Sequence, residues 1–301
     1  MSSRLLAKIA LLVTVFIWGT TFPATKVALQ DVPPFMLTVL RFVLGGAVLL
    51  PLALSERRRQ PIRLTWRELA IPGLVGGTLY FAFQNVGMVY TSASKSSLIL
   101  ASVPALTAVL SVLLLGERMW FLRAAGVIAS ILGVVVIIVG TEGAVLSTEG
   151  MLGDLLIVGS AISWPVYTIL SKGLEGRATP ALFSAATMGF GALFLLPLVG
   201  YELLTSPMPA PTPAGWVAIA YLGLVASAVT FLLWNYALAK VDASEAAVYI
   251  NLVPVVAVAS SVVFLGESVT PAHVLGGLLV VAGVWAASSQ RARTAQKVPA
   301  D

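Results

Sequence analysis

Long, unbroken runs of apolar residues, separated by short connections, dominate this chain. Ten of these runs approach the roughly 20 residues that an α-helix needs to cross a bilayer. The runs are continuous rather than alternating, which favours helices over a β-barrel, the other structure that satisfies its backbone in lipid. Only 10% of the residues are charged, against about 25% in soluble domains. The sequence therefore predicts an all-α integral membrane protein.

The basic residues predict how the spans are oriented. We place the ten predicted spans at residues 5–27, 34–54, 69–89, 95–115, 121–140, 152–171, 180–201, 215–238, 244–265 and 271–289. Fifteen of the 18 Lys and Arg residues lie at alternate connections, on the same side as both termini. Because basic connections stay inside, both termini are expected in the cytoplasm. The first run lacks a small-residue cleavage site, so we expect it to be a retained span.

The sequence repeats itself once, first with an offset of 146 residues and then of 150. Matching pairs include Trp18 with Trp164, Gly45 with Gly191, Gly73 with Gly223, Asn85 with Asn235, and Pro104 with Pro254. The predicted repeats cover residues 1–143 and 144–290, followed by a basic cytoplasmic tail at 291–301. Five spans per repeat place the second copy upside down, an arrangement common in secondary transporters. A purely structural duplication is the alternative.

Each repeat carries a polar stripe in its first span. The stripes comprise Thr14, Trp18, Thr21 and Thr25 in one copy and Ser160, Trp164, Tyr167 and Ser171 in the other. The members of each set recur at helical spacing and therefore share one helix face. We expect the two stripes to face a shared central cavity, with Lys26 and Lys172 at opposite mouths.

Three motifs stand out: the stretch WGTTFPATK at Trp18–Lys26, the triplet Leu40–Arg41–Phe42, and two P-x(11)-G-E hairpins that end at Glu117 and Glu267. With these motifs the chain resembles the EamA family of the drug/metabolite transporter superfamily. The resemblance implies multi-pass carriers of the bacterial inner membrane that mostly export amino acids or related metabolites, and is greatest to the aromatic amino acid exporter branch. It also implies a cavity lined by spans 1, 3, 4, 6, 8 and 9. Other branches handle cationic drugs or sugar phosphates, so the substrate stays open.

Aromatic, amide and hydroxyl side chains inside the spans are the candidate substrate-binding groups. They are Trp18, Thr21, Tyr80, Gln84, Asn85, Trp164, Tyr167, Trp234, Asn235, Tyr249 and Asn251. Such a pocket suits a small neutral or zwitterionic amphiphile, including an aromatic one. Tryptophans also pack in cores or mark the membrane interface, and amides also clamp helices together, so both alternatives stay open for these residues.

Two prolines, two glutamates and two lysines are candidates for hinges and gates. Pro104 and Pro254 each remove a backbone hydrogen bond within a predicted helix, which produces either a hinge or a fixed kink. Glu117 and Glu267 end their hairpins on opposite sides of the membrane and are candidate caps or latches. Lys26 and Lys172 are interpreted as interface anchors or gate-closing partners.

Arg41 is a possible buried charge, eight residues into the second span. A buried arginine is costly in a membrane and needs a compensating role. One interpretation is a fixed charge for a substrate carboxylate. The other, favoured because the second span is expected at the edge of the cavity, is bonding to backbone carbonyls or extension towards the interface.

The remaining residues exclude other functions. All acidic residues are expected in connections or within about a turn of a span end, and the one histidine is His273. We therefore predict no enzyme activity, no cofactor, no metal site and no nucleic-acid partner, and little stimulation by a pH gradient. Gly126, Gly133, Gly276 and Gly283 predict close helix packing. A monomer is compatible with the sequence, which leaves a dimer face open.

The repeat, the topology and the polar stripes predict a carrier that works by alternating access, and the family resemblance implies that it exports small metabolites, above all amino acids. The partners are a small-molecule substrate and the lipid bilayer. The alternatives are a drug or amine efflux carrier of the same fold and a membrane sensor or scaffold that transports nothing. Neither alternative changes the predicted architecture.

Overall fold

The computed structural model describes residues 3–57, 64–116, 119–141, 148–172, 174, 177–205, 210–238, 240 and 249–295. Over these ranges the chain is helical and contains no β-strand. The α-helices of the first half are α1 (Ser3–Ala28), α2 (Pro34–Arg57), α3 (Trp66–Pro72), α4 (Tyr80–Tyr90), α5 (Ala93–Leu100), α6 (Val103–Leu115) and α7 (Phe121–Thr141). Those of the second half are α8 (Thr148–Lys172), α9 (Pro180–Thr205), α10 (Pro213–Ala220), α11 (Thr230–Leu238), α12 (Val253–Leu265) and α13 (Pro271–Ala295).

Eight helical stretches in the described residues are long and apolar enough to cross a membrane. They correspond to the first eight predicted spans. The last two predicted spans correspond to shorter apolar helices, Val253–Leu265 and Pro271–Ala287. Helix α13 continues to Ala295, so the first residues of the predicted tail are helical.

The helix contacts follow the internal repeat. Helix α1 packs on α12 and α11, and its repeat counterpart α8 packs on α4, α5 and α6. Two further pairs cross between the halves, α2 with α9 and α7 with α13. The contacts of α1 with α11 and α12 thus match those of α8 with α4 and α6, and the two halves interlock rather than stand side by side.

Glycines bring α7 and α13 into close contact. A Cβ atom added to Gly133 would lie 2.7 Å from the carbonyl oxygen of Gly276, and one on Gly283 would lie 2.5 Å from that of Gly126. Only glycine allows the two backbones to approach this closely. The close packing predicted for these four glycines is confirmed: Gly126 faces Gly283, and Gly133 faces Gly276.

Spans 3 and 8 each contain a π-helical segment, which the sequence did not predict. These segments are π1 (Gly73–Leu79) and π2 (Tyr221–Val229). The N–H of Tyr80 bonds to the carbonyl of Val75, and the N–H of Thr230 bonds to that of Val225, five residues earlier in both cases. π-Helical turns are uncommon and are concentrated at functional sites. Here they occupy equivalent places in the two repeats.

Spans 4 and 9 are broken just before their central prolines. Helix α5 ends at Leu100, and α6 begins at Val103 with Pro104 in its first turn. Pro254 has the same place in the first turn of α12. A proline there removes no helical hydrogen bond. Pro104 and Pro254 thus start new helices, whereas the sequence predicted prolines inside continuous ones.

Candidate substrate site between the repeats

Trp18 of α1 connects the first polar stripe to span 8. Its indole Nε1 donates a hydrogen bond to Thr230 Oγ1 at 3.1 Å, and its ring lies 5.2 Å from that of Trp234. Thr230 is the first residue of α11, directly after π2, so the π-helical turn helps to set the position of this contact. The Thr21 hydroxyl donates to the carbonyl of Trp18 at 2.6 Å. Trp18 and Trp234 thus form one aromatic wall.

Trp164 of α8 has the equivalent place against span 3. Its ring centroid lies 5.0 Å from that of Tyr80 and 5.3 Å from that of Tyr167. Tyr80 directly follows π1, as Thr230 follows π2. Tyr80 also contacts Phe81 edge-on at 4.9 Å. The repeat thus builds two aromatic walls, and the second is the richer in tyrosine.

The amide candidates behave differently from the aromatic ones. Asn85 is buried, and its amide nitrogen donates to Thr38 Oγ1 at 2.8 Å and to the Pro34 carbonyl at 3.3 Å. These bonds clamp α4 to α2, which is one of the two alternatives that the sequence left open. Gln84 beside it is also buried. The side chain of Asn235, the repeat equivalent of Asn85, lies outside the described residues.

Tyr249 and Asn251 lie just before α12 and are partly buried. Tyr249 packs against the small apolar cluster around Leu11 of α1, and so does Trp234 of the first aromatic wall.

Arg41 points into the bundle, contrary to the favoured interpretation of the sequence. Its Nε donates to Ser227 Oγ at 2.9 Å, and its guanidinium carbon lies 4.7 Å from the centre of the Phe81 ring. Tyr80 and Tyr221 are close enough to interact with it electrostatically. All these partners are side chains of spans 3 and 8, and among the described residues no backbone carbonyl accepts a hydrogen bond from Arg41.

A buried ion pair joins span 4 to span 6, and the sequence interpretation missed it. Lys95 Nζ lies 2.6 Å from Asp154 Oδ2, and Thr91 Oγ1 donates to Asp154 Oδ1 at 2.7 Å. Asp154 is fully buried in the second turn of α8, which begins at Thr148. The expectation that every acid lies in a connection or within a turn of a span end is therefore wrong for Asp154.

The repeat itself contained a signal for this pair. In the repeat register Asp154 corresponds to Lys8, and Lys95 corresponds to Glu245. At both positions, one repeat therefore has an acidic residue where the other has a lysine. Opposite charges at exchanged positions point to the Lys95–Asp154 ion pair. Glu245 lies outside the described residues.

Glu267 caps the start of α5. Its two carboxylate oxygens accept hydrogen bonds from the backbone nitrogens of Ala93 and Ser94 at 2.8 and 2.9 Å. A carboxylate at a helix N-terminus is favoured by both the free N–H groups and the helix dipole. Lys26 lies near enough to Glu267 for electrostatic attraction. Glu117 and the Lys172 side chain lie outside the described residues.

The described residues provide no obvious place for a metal. Nowhere in this part of the chain do three or more histidine or acidic side chains converge in the way a metal ion requires. The His273 Nδ1 accepts from the Thr270 backbone nitrogen at 3.2 Å, which keeps this ring at the start of α13. The site is built instead from aromatic rings, hydroxyls and one arginine.

A bundle of long apolar helices with aromatic walls repeated between its two halves defines a multi-pass membrane transporter. The chain belongs to the EamA-like transporter family, which it matches twice, over residues 5–139 and 151–289. The two matches coincide with the internal repeat. Family and relatives are transporters rather than enzymes.

Several named proteins are similar over nearly their whole length. A Streptantibioticus cattleyicolor protein named "probable terminal-alkyne amino-acid exporter" is 31% identical, covering 91% of both chains. An uncharacterized transporter of Archaeoglobus fulgidus is 29% identical, covering 93% of this chain and 96% of its own. One crystal structure superposes with a TM-score of 0.67 at 25% identity, covering 96% of this chain and 98% of the other.

Proposed function

We propose that this protein is a secondary transporter of the inner membrane that exports small metabolites, above all amino acids. In this proposal it has ten spans, both termini lie in the cytoplasm, and the two repeats are residues 1–143 and 144–290. The observation that carries the proposal is the pair of repeat-related aromatic walls, Trp18 with Trp234 and Trp164 with Tyr80. Inverted repeats that meet at a shared site are the usual basis of alternating access.

The site chemistry favours an amphiphilic substrate. Aromatic rings provide apolar surfaces, while Thr21, Gln84 and the Tyr80 hydroxyl provide a few polar groups. A pocket of this kind binds the apolar side chain of a ligand and orients its polar end. The name of the Streptantibioticus relative, an amino-acid exporter, agrees with this substrate class.

The breaks in spans 4 and 9 are the proposed hinges. The break beside Pro104 separates α5 from α6, and the break beside Pro254 lies just before α12. Rotation about the first break would move α5, which Glu267 holds at its N-terminus and Lys95 holds to α8. In this scheme one mouth of the cavity is closed by Glu267, Lys26 and the Lys95–Asp154 pair. The other mouth is closed by Glu117 and Lys172.

The test is uptake of a radiolabelled panel into proteoliposomes containing the purified protein. The panel comprises amino acids with aromatic, aliphatic and hydroxyl side chains, together with cationic amines and sugar phosphates. The proposal predicts saturable uptake of amino acids. Transport of amines alone would favour a drug or amine efflux carrier, and no transport of any class would favour a sensor or scaffold.

A further inference from the structure

Arg41 lies at the centre of a polar cluster that joins spans 1, 2 and 8. Ser227 accepts from Arg41 Nε and itself donates to the carbonyl of Leu222 at 2.8 Å, within π2. Tyr221, at the start of π2, interacts electrostatically with Arg41. The Tyr221 hydroxyl lies 2.5 Å from Thr20 Oγ1 on α1. The arginine is thus held from several sides in one orientation.

The second repeat packs the equivalent interface without any charge. In the repeat register Arg41 corresponds to Thr187, Ser227 to Gly77, and Tyr221 to Ile71. At that place α9 lies directly on π1, and a Cβ atom on Gly77 would lie 3.0 Å from the Thr187 carbonyl oxygen. Since the same helix crossing forms with threonine and glycine, the packing of this fold does not require an arginine.

The terminal nitrogens of the Arg41 guanidinium can bind a further partner. The Nε hydrogen is used by Ser227, and the two terminal nitrogens have no hydrogen-bond partner among the described residues. The side chain remains partly accessible, although it lies well inside the span. No carboxylate in the described part of the chain forms an ion pair with it. A buried cation without a counter-ion is costly, and a bound anion would compensate for it.

The neighbours of Arg41 limit which anion fits. Phe81 stacks on the guanidinium, Phe81 contacts Tyr80, and Tyr80 continues to Trp164 in the second aromatic wall. An anion on Arg41 therefore has aromatic surface beside it. One arginine suits a carboxylate, which accepts two parallel N–H bonds from the terminal nitrogens, better than a phosphate ester, which needs several converging cations.

We propose that Arg41 is the carboxylate-binding group of the central site. The inference rests on the proposed transport function and names its substrate class: small monocarboxylates, including amino acids, whose apolar side chain lies against the Tyr80–Trp164 wall. Amines without a carboxylate are excluded, because they would face the arginine with a like charge. Since only one repeat carries the arginine, the substrate binds in a single orientation relative to the two repeats.

The experiment compares four matched probes on the purified wild-type protein by thermal shift and by uptake into proteoliposomes. The probes are L-phenylalanine, L-phenylalaninamide, 3-phenylpropanoate and 2-phenylethylamine, with L-leucine and L-leucinamide as an aliphatic pair. A charge-assisted hydrogen bond is worth about tenfold to a hundredfold in affinity. We therefore expect the three carboxylates to stabilise the protein, and the amides and the amine to be weaker by about that factor.

Two variants test whether the preference for carboxylates comes from Arg41. Arg41→Gln is expected to lose the preference for carboxylate over amide, and Arg41→Lys to retain part of it, because lysine keeps the charge but not the paired geometry. Arg177→Gln is the control, since Arg177 pairs with Glu68 at one end of the bundle. If Arg41→Gln does not fold, the wild-type probe comparison still decides the question.

Two results would overturn the inference while leaving the transport function standing. One is equal uptake of L-phenylalanine and L-phenylalaninamide by the wild type. The other is an unchanged carboxylate preference in Arg41→Gln. Absence of uptake for every probe and every member of the wider panel would instead overturn the transport function, and the inference with it.

Discussion

The Lys95 ammonium lies 2.6 Å from the Asp154 carboxylate, and both side chains are almost completely removed from solvent. The pair connects the N-terminal half of the broken span 4 to the first third of span 6. Ion pairs of this kind contribute little net stability when intact, because desolvation offsets attraction, but breaking one leaves a buried charge. The pair therefore acts as a constraint on where α5 lies relative to α8.

Asp154→Asn is expected to lower the free energy of unfolding by about 3–5 kcal/mol, because Lys95 loses the charge that compensates it. Thermal unfolding in detergent measures the effect. The exchanged double variant, Lys95→Asp with Asp154→Lys, should recover part of the loss. Arg177→Gln, which breaks the half-exposed pair with Glu68, should cost far less. Equal losses of stability in Asp154→Asn and Arg177→Gln would contradict this account.

The glycine seam between α7 and α13 predicts a second stability effect. Gly283→Ala places a Cβ atom 2.5 Å from the Gly126 carbonyl oxygen and from the Ser130 nitrogen, both of which are backbone atoms. Overpacking of this kind costs about 1–3 kcal/mol. The matched control is Gly189→Ala in α9, where nothing lies within 4 Å of the added atom. That variant should be neutral or slightly stabilised. If Gly189→Ala lost stability and Gly283→Ala did not, this account of the helix packing would be contradicted.

The aromatic walls predict which tryptophans matter for transport. Trp164→Ala removes the ring that contacts Tyr80 and Tyr167, and Trp18→Ala removes the partner of Thr230. We expect each variant to reduce amino-acid uptake by about tenfold or more, since a loss of about 1.4 kcal/mol in binding free energy lowers affinity tenfold. Trp285 is 68% exposed on the bundle surface, so Trp285→Ala should transport normally. Membrane expression, compared by immunoblot, should be alike in all three.

A pH gradient is expected to give weak or no stimulation of amino-acid uptake. Proton-driven carriers commonly relay protons through buried acidic groups. The buried acids among the described residues already have partners: Asp154 pairs with Lys95, and Glu202 accepts hydrogen bonds from the backbone nitrogens of Phe35 and Met36. Uptake into vesicles with and without an imposed gradient measures this directly. Strong stimulation that disappears in Asp154→Asn would show that the pair is a proton site instead.

The sequence predicted features that depend on residue type and spacing alone. Apolar runs predict spans in any context, and glycines repeated in register predict the seam of Gly126 with Gly283. The π-helical turns could not be read in the same way, because α- and π-turns use the same residues. Whether a segment forms α- or π-turns depends on its packing, for example that of Gly223 against Leu44 of α2.

The site was predicted less completely because its contacts join distant parts of the chain. The stripe spacing predicted Trp18 and Trp164 as an equivalent pair, but not which partners they meet. Arg41 and Ser227 are 186 residues apart, and no local pattern relates them. The same holds for Pro104, since a proline that kinks a helix and one that begins a helix look alike in sequence.

Counterflow in proteoliposomes tests the central claim, alternating access at a site shared by the two repeats, most directly. Vesicles are loaded with unlabelled amino acid, and entry of a trace of the labelled form is followed. A carrier with one alternating site predicts that the internal load accelerates entry and produces a transient accumulation, and that Trp164→Ala abolishes it. Entry that is unaffected or slowed by the internal load, for every amino acid tested, would contradict the account.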